Sequence, residues 1–374
     1  MIKIIGDGII SSLGISTEEN FQHILDGKSG LRLIDDESSS LDPYYSSLVE
    51  KDNLSSIVEN IDKYTKLEAM SIASILNAVE DKGIDLGSKD TIFIFSSTKG
   101  NIDLLNNNNS KDLRIRLWKT AEIISKYFHN ENEPMVVSNA CISGVSAQIL
   151  ASRLLKSRKY KRAVVVGADL VSKFTVSGFQ SFHSLADKEC QPFDKNRVGL
   201  NIGEAAACII LQYEDEKSLN NDDIILLDGI MKNDANHISG PSRTGEGSYR
   251  CLNHLLKNTN TEKIAFINAH GTATNYNDEM ESIALERAGL ADVPVNSMKA
   301  YFGHTLGAAG VLESIISARA LKEGLILPTK GYVEKGVSGN IRISDKLLKT
   351  NKNFAIKLIS GFGGCNAALL FKKI

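Results

Sequence analysis

Residues 135–151 read MVVSNACISGVSAQILA. The opening Met-Val-Val is apolar and short, as in a buried strand; Ser138 and Asn139 carry turn and cap chemistry; residues 144–155 are small and apolar enough for a packed helix. Cys141 falls at the joint. A thiol at the head of a helix lies near unsatisfied backbone N–H groups and the positive end of the helix dipole, both of which favour thiolate over thiol. The alternative is that Cys141 is a small buried hydrophobe, the ordinary fate of an intracellular cysteine, and this stretch alone does not choose between them.

Working outward, compact β-rich runs occur at 91–96 (TIFIFS), 162–167 (RAVVVG), 205–211, 224–227, 264–268 and 354–360. RAVVVG is almost continuously β-branched, as expected of a strand covered on both faces. Helical spacing predicts helices over 17–25 with Thr17 as N-cap, and over 62–80, 113–128, 248–256, 277–288 and 308–323. Alternating strands and helices argue for α/β layers. The polar run YEDEKSLNNDD at 213–223 marks a junction between two halves, 1–220 and 221–374. Each half contains a strand, a small-residue turn and a small apolar helix, at 136–150 and 295–318, a weak sign of duplication. Residues 31–59 read as a surface excursion, and the four asparagines at 106–109 as an exposed loop.

The 374-residue chain has ordinary hydrophobic and charged fractions and a formal net charge of −2, so no basic field points to nucleic acid. Its five cysteines (141, 190, 208, 251 and 365) are scattered and never form a CxxC pair, against a disulfide framework or zinc site. They read as reduced thiols in a cytoplasm. The start, MIKIIGDGIISSLG, lacks signal-peptide character, and apolar runs fall short of the roughly 20 residues that span a bilayer.

Three further stretches stand out. In INAHGTATNYND (267–278) an apolar strand ends at His270, and Thr272 and Thr274 follow with hydroxyls suited to an extended polar ligand. A hydrogen-bonded loop histidine is the alternative. In NSMKAYFGHTLGAAGVLE (296–313) Lys299 precedes His304 by five residues, and GAAG permits close backbone approach in a crowded site or plain helix packing. In ISGFGGCN (359–366) a glycine turn offers backbone N–H groups to a phosphate or an oxyanion, without a P-loop or GxGxxG pattern. One cysteine, two histidines and a glycine turn make a coherent acyl-transfer site.

Together with GDGIISSLG (6–14), LDGKSGL (25–31) and PFDKNRVG (192–199), these motifs resemble the β-ketoacyl-acyl-carrier-protein synthases of the I/II class, the condensing enzymes of fatty-acid and polyketide synthesis. The resemblance runs over essentially the whole chain. It implies a thiolase-like α/β fold of two duplicated βαβαβαββ halves in five layers (αβαβα). Cys141 would take an acyl group from a carrier thioester, and His270 and His304 would bind and decarboxylate the malonyl extender. The N–H groups of Cys141 and Phe362 would form the oxyanion hole, and Lys299 and Glu313 would organise the site. Thr272, Thr274, Phe179, Gly361, Phe362 and Gly363 would bind substrate. The resemblance implies no metal and no cofactor beyond the phosphopantetheine of acyl-carrier protein, and it makes the protein cytoplasmic and a homodimer, or a heterodimer with a related subunit. Lys63, Lys66, Lys111, Arg114 and Arg116 are candidates for docking an acidic carrier. Ile142, GEAAA at 203–207 and ISGFGG at 359–364 depart from the family pattern and point to a specialised polyketide or polyene enzyme, with fatty-acid elongation the alternative. A thiolase and a catalytically silent partner subunit are the rival readings.

Overall fold

The computed structural model describes residues 1–36, 40, 42–107 and 111–374. Its main sheet has eleven strands: β1 (Ile2–Ser11), β2 (Thr91–Ser96), β3 (Met135–Val137), β4 (Arg162–Asp169), β5 (Ala205–Tyr213), β6 (Ile224–Asn233), β7 (Ile264–Asn268), β8 (Pro294–Asn296), β9 (Arg342–Ile343), β10 (Phe354–Gly361) and β11 (Cys365–Lys373). The order is β9-β8-β7-β10-β11-β6-β1-β5-β4-β2-β3. Numbered within each half, the strands run 3-2-4-5-1 in both, with β9 added at one edge. The halves meet through one antiparallel pairing, Lys3 with Ile225.

Residue parity builds the layers, because successive strand residues face opposite sides of a sheet. In β2, Ile92 and Ile94 face the central core while Phe93 and Phe95 face an outer one. In β5, Ala205, Ala207, Ile209 and Leu211 turn inward, and Ala206, Cys208 and Ile210 outward. The second half repeats this: Ala367, Leu369 and Phe371 of β11 join the central core, Ala368 and Leu370 a third core beneath the helices Glu246–Leu256 and Asn275–Arg287. The helices Lys66–Val79 and Leu117–Tyr127 cover the other outer face. Between the half-sheets lie the helices Ser143–Lys156 and Ala309–Lys322, which touch strands of both halves and each other. These are the five layers of the thiolase-like fold.

The two central helices cross at glycines that occupy the second position of each. A Cβ on Gly144 would sit 2.8 Å from the Val311 nitrogen, and one on Gly310 would sit 2.5 Å from the Val145 nitrogen. GAAG therefore serves the crossing of the central layer. Gln148 locks it by donating to the Gly310 carbonyl at 3.0 Å.

Local expectations shift in places. Ser16, rather than Thr17, caps the first helix, its side chain accepting from the Glu19 N–H. The helix expected from residue 62 begins at Lys66 behind a Thr65/Glu68 capping box, with a 3₁₀ turn at Ile61–Lys63. The helix Lys173–Ser181 and the strand β11 were not expected. Their sequences, KFTVSGFQS and CNAALLFKK, carry β-branched and glycine residues in the helix and helix-forming Ala and Leu in the strand, and tertiary packing overrides both propensities. The exposed loop expected at 106–109 lies outside the described residues beyond 107, where a 3₁₀ segment, Ile102–Asn107, ends. Among the described residues no helix is long and apolar enough to cross a membrane.

Candidate active site

Cys141 is presented by a strained turn between β3 and its helix. Ala140 adopts a left-handed φ of +44°, which costs on the order of 1 kcal/mol and persists only where the surroundings enforce it. Ser143 supplies that restraint: its hydroxyl donates to the Ala140 carbonyl at 2.6 Å and accepts from the Asn139 N–H at 2.8 Å. Gly361, at the end of β10, lies directly against the turn, and a Cβ there would stand 3.1 Å from the Cys141 nitrogen. The Phe362 N–H lies close enough to the Cys141 sulfur to favour its ionised form slightly.

The histidines arrive from the second half. Gly303, with φ +67°, turns the chain into His304, whose N–H donates to the Asn201 carbonyl at 2.7 Å. Its Nε2 lies 3.0 Å from Cys141 Sγ. His270 follows β7, and Glu281 fixes it by accepting from the His270 and Gly271 N–H groups, each at 2.7 Å. Asp278 does the same for the Thr272, Ala273 and Phe193 N–H groups. The imidazole rings are 5.0 Å apart and nearly perpendicular. The sulfur and one nitrogen of each ring lie within 4.8 Å of one another.

These three side chains share a cavity of about 130 Å³ with Thr272, Thr274, Phe179, Gly361 and Phe362. The two threonine hydroxyls are 2.9 Å apart. Phe362 packs against Phe179 with the rings tilted and 5.9 Å apart, and meets Phe182 edge-on at 5.4 Å. Gly363 is not on the wall: its φ of +80° forms the turn, and its N–H donates to the Ile238 carbonyl at 2.7 Å.

The chain matches the β-ketoacyl synthase N-terminal domain over residues 1–217 and the C-terminal domain over 225–332. It belongs to the β-ketoacyl synthase family. It is 26% identical over 409 residues to 3-oxoacyl-[acyl-carrier-protein] synthase 2 of Vibrio harveyi, covering all of this chain and 98% of that one. It is also 26% identical over 424 residues to a putative mitochondrial 3-oxoacyl-[acyl-carrier-protein] synthase of Schizosaccharomyces pombe, with 100% and 99% coverage. Among solved structures it superposes on the ishigamide ketosynthase/chain length factor with a TM-score of 0.88 at 25% identity, covering 100% and 99%. For a β-ketoacyl synthase of Burkholderia phymatum the TM-score is 0.86 at 22% identity, with the same coverage.

Within this ketoacyl synthase chain, burial decides the resting charge of the site. Cys141 is 8% exposed, and desolvation pushes its thiol up to about 11, against the opposing pull of Lys99 and Lys299. Loss of solvent thus outweighs both cations and holds the thiol neutral at rest, against the thiolate expected from the helix start. Burial, with Lys299 next, also lowers both histidines well below 6.5, so both rings are neutral. Neither Nδ1 has a partner among the described residues, which leaves both rings free to change tautomer.

Lys299 and Glu313 form a buried ion pair behind the histidines and away from the cavity wall. Burial acts to raise Glu313, but Lys299 and Lys357 outweigh it and hold the carboxyl below its ordinary range. Lys357 is the second cation on that carboxylate. Sequence reasoning missed it, although a lysine inside the apolar run FAIKLIS was the available signal. Phe182 was missed as well. Of the docking candidates, Lys66 is engaged by the buried Glu204 and Arg114 by Asp112.

Proposed function

We propose that this synthase condenses an acyl thioester with a malonyl group carried on acyl-carrier protein, releasing carbon dioxide and a 3-oxoacyl thioester, with Cys141, His270 and His304 as catalytic residues. The 3.0 Å contact between Cys141 Sγ and His304 Nε2, inside a cavity shared with His270, supports this reading most directly. In the first half-reaction His304 Nε2 accepts the thiol proton as the sulfur attacks the acyl carbonyl. The new C–S bond forms, the old one breaks, and the departing carrier thiolate takes that proton. Because the thiol is neutral at rest, the proton transfer is part of the attack and not a preliminary step.

In the second half-reaction the malonyl carboxyl leaves as carbon dioxide, and the C–C bonding pair passes into an enolate. Two neutral imidazoles donating N–H bonds stabilise that oxygen without quenching its carbon. The carbon attacks acyl-Cys141, the Cys141 and Phe362 N–H groups hold the oxyanion, and collapse breaks the C–S bond and releases the Cys141 thiolate, which takes one proton from water. Thr272 and Thr274 bind the pantetheine arm on the cavity wall, and Phe362 with Phe179 gates the acyl channel. The acyl-carrier protein, a homodimer or a heterodimer with a related subunit, and a cytoplasmic setting complete the proposal. Superposition on a ketosynthase/chain length factor structure supports a paired subunit and a polyketide-type pathway.

Mass spectrometry after incubation with an acyl-carrier thioester tests it. An acyl adduct on Cys141 is expected, and Cys141→Gln should abolish condensation while keeping malonyl decarboxylation. A folded protein that forms no adduct would be a silent partner subunit; loss of both activities in Cys141→Gln would overturn the division of roles.

A further inference from the structure

Lys357 is a charged residue where the fold calls for an apolar one. It lies in β10, and parity turns it with Ala355 and Ile359 toward the central core; its exposure is 0%. The corresponding fourth strand of the first half, β4, has only Ala, Val and Gly over 163–168. Burying an ammonium costs several kcal/mol unless its donors are satisfied and its charge is met. Both conditions hold here: Nζ donates to Glu313, to the Leu358 carbonyl at 3.0 Å and to the Ala269 carbonyl at 3.3 Å.

Those partners join three separate pieces of the site. Glu313 lies on the helix that follows His304, Ala269 immediately precedes His270, and β10 ends in the Gly361–Phe362 turn against Cys141. The other charges facing this cluster are Lys299, which shares Glu313, and Glu281, which holds the His270 turn and is pushed up to about 7 chiefly by burial. Lys299 and Lys357 each oppose protonation of both imidazoles, Lys99 adds to this at His304, and Glu281 offsets part of that charge where it is ionised.

We propose that Lys357 is a positioning residue for malonyl decarboxylation: by bridging Glu313 to the Ala269 carbonyl it sets the spacing of the two imidazoles and keeps them uncharged. This rests on the assignment of both histidines to that half-reaction. Lys357 is absent from the cavity wall. Burial draws it down to about 8, still protonated near neutrality.

Lys357→Met keeps the stem and removes the charge, and Lys357→Gln keeps a donor without the charge. For each variant and the unaltered protein, Cys141 acylation is followed by mass spectrometry and malonyl decarboxylation is measured from pH 5 to 9. Acylation should stay within about threefold, and decarboxylation at pH 7 should fall on the order of tenfold. Its acid limb should move up by about one pH unit, because removing a nearby cation makes the imidazoles easier to protonate. Lys357→Arg should return the limb toward its original position. Equal losses in both half-reactions with an unmoved limb would reduce Lys357 to a structural residue and overturn the inference. If Lys357→Met fails to fold, Lys357→Gln carries the same decision. Absence of decarboxylation in the unaltered protein would instead sink the functional reading beneath it.

Discussion

Two strand–turn–helix units face each other at the centre of the molecule, and they differ less in shape than in electrostatics. One runs from β3 through the left-handed Ala140 to Cys141 and the helix Ser143–Lys156; the other runs from β8 through the left-handed Gly303 to His304 and the helix Ala309–Lys322. Among the described residues no carboxylate hydrogen-bonds the thiol, Asp169 acts on it only through space, and Lys99 and Lys299 fail to offset burial. Behind the imidazole stand Lys299, Glu313 and Lys357, all buried. The repeated topology supplies two equivalent positions for a reactive side chain. A carboxylate shared by two fully buried ammoniums stands behind the imidazole and not behind the thiol, and makes them chemically unlike.

The largest effect that would expose this asymmetry is on stability. Glu313→Gln leaves two buried ammoniums without a carboxylate, and breaking a buried pair in this way costs about 3–5 kcal/mol. Lys99→Met, the nearest comparable change beside Cys141, removes a half-buried ammonium that donates only to Thr98 among the described residues, and should cost under about 1 kcal/mol. Denaturant unfolding of the two variants measures the difference. Similar costs would mean that the charge cluster does not distinguish the halves.

The next effect is kinetic and concerns the thiol. With its pKa near 11, Cys141 carries roughly a hundredfold less thiolate at pH 8 than an ordinary cysteine thiol. A raised value means the neutral form persists until pH approaches it. Alkylation by iodoacetamide, read at the Cys141 peptide, should therefore keep climbing between pH 7 and 10. A plateau by pH 8 would show the helix dipole prevailing over burial, and would make the first unit an electrostatically prepared one like the second.

These two predictions also mark what the sequence could reveal. Cys141 and His270 were legible because each occupies a turn just past a strand, and His304 because it follows the short helix Lys299–Phe302, with Gly271 and Gly303 announcing tight bends. RAVVVG was legible as a doubly covered strand because every position after Arg162 is apolar. The Cys141 charge state was not, since burial is set by Phe179, Phe362 and the second half of the chain rather than by its neighbours in sequence. Lys357 was hidden for the same reason: its partner Glu313 is 44 residues away, and only the approach of β10 to the central helix joins them. The GAAG run allowed either site packing or helix packing, and the crossing of Gly310 on Gly144 resolves it.

That crossing carries the smallest of the expected effects and the sharpest test of the symmetry. Gly144→Ala and Gly310→Ala each drive a methyl into the opposing backbone, at 2.8 Å and 2.5 Å from the nearest nitrogen. Overpacking of this kind costs about 1–3 kcal/mol, less up to about 1 kcal/mol regained from the better helix propensity of alanine. Both methyls occupy one gap, so a small separation of the helices relieves both. The double variant should consequently lose less stability than the two singles combined, with a coupling of at least about 0.5 kcal/mol. The same separation draws the thiol away from the imidazole, because each helix begins just beyond one of them. Condensation should thus fall in every variant while the fold persists. Additive costs with full activity would show that the 3.0 Å Sγ–Nε2 distance is set by the turns themselves and that the central crossing is packing without consequence for the chemistry.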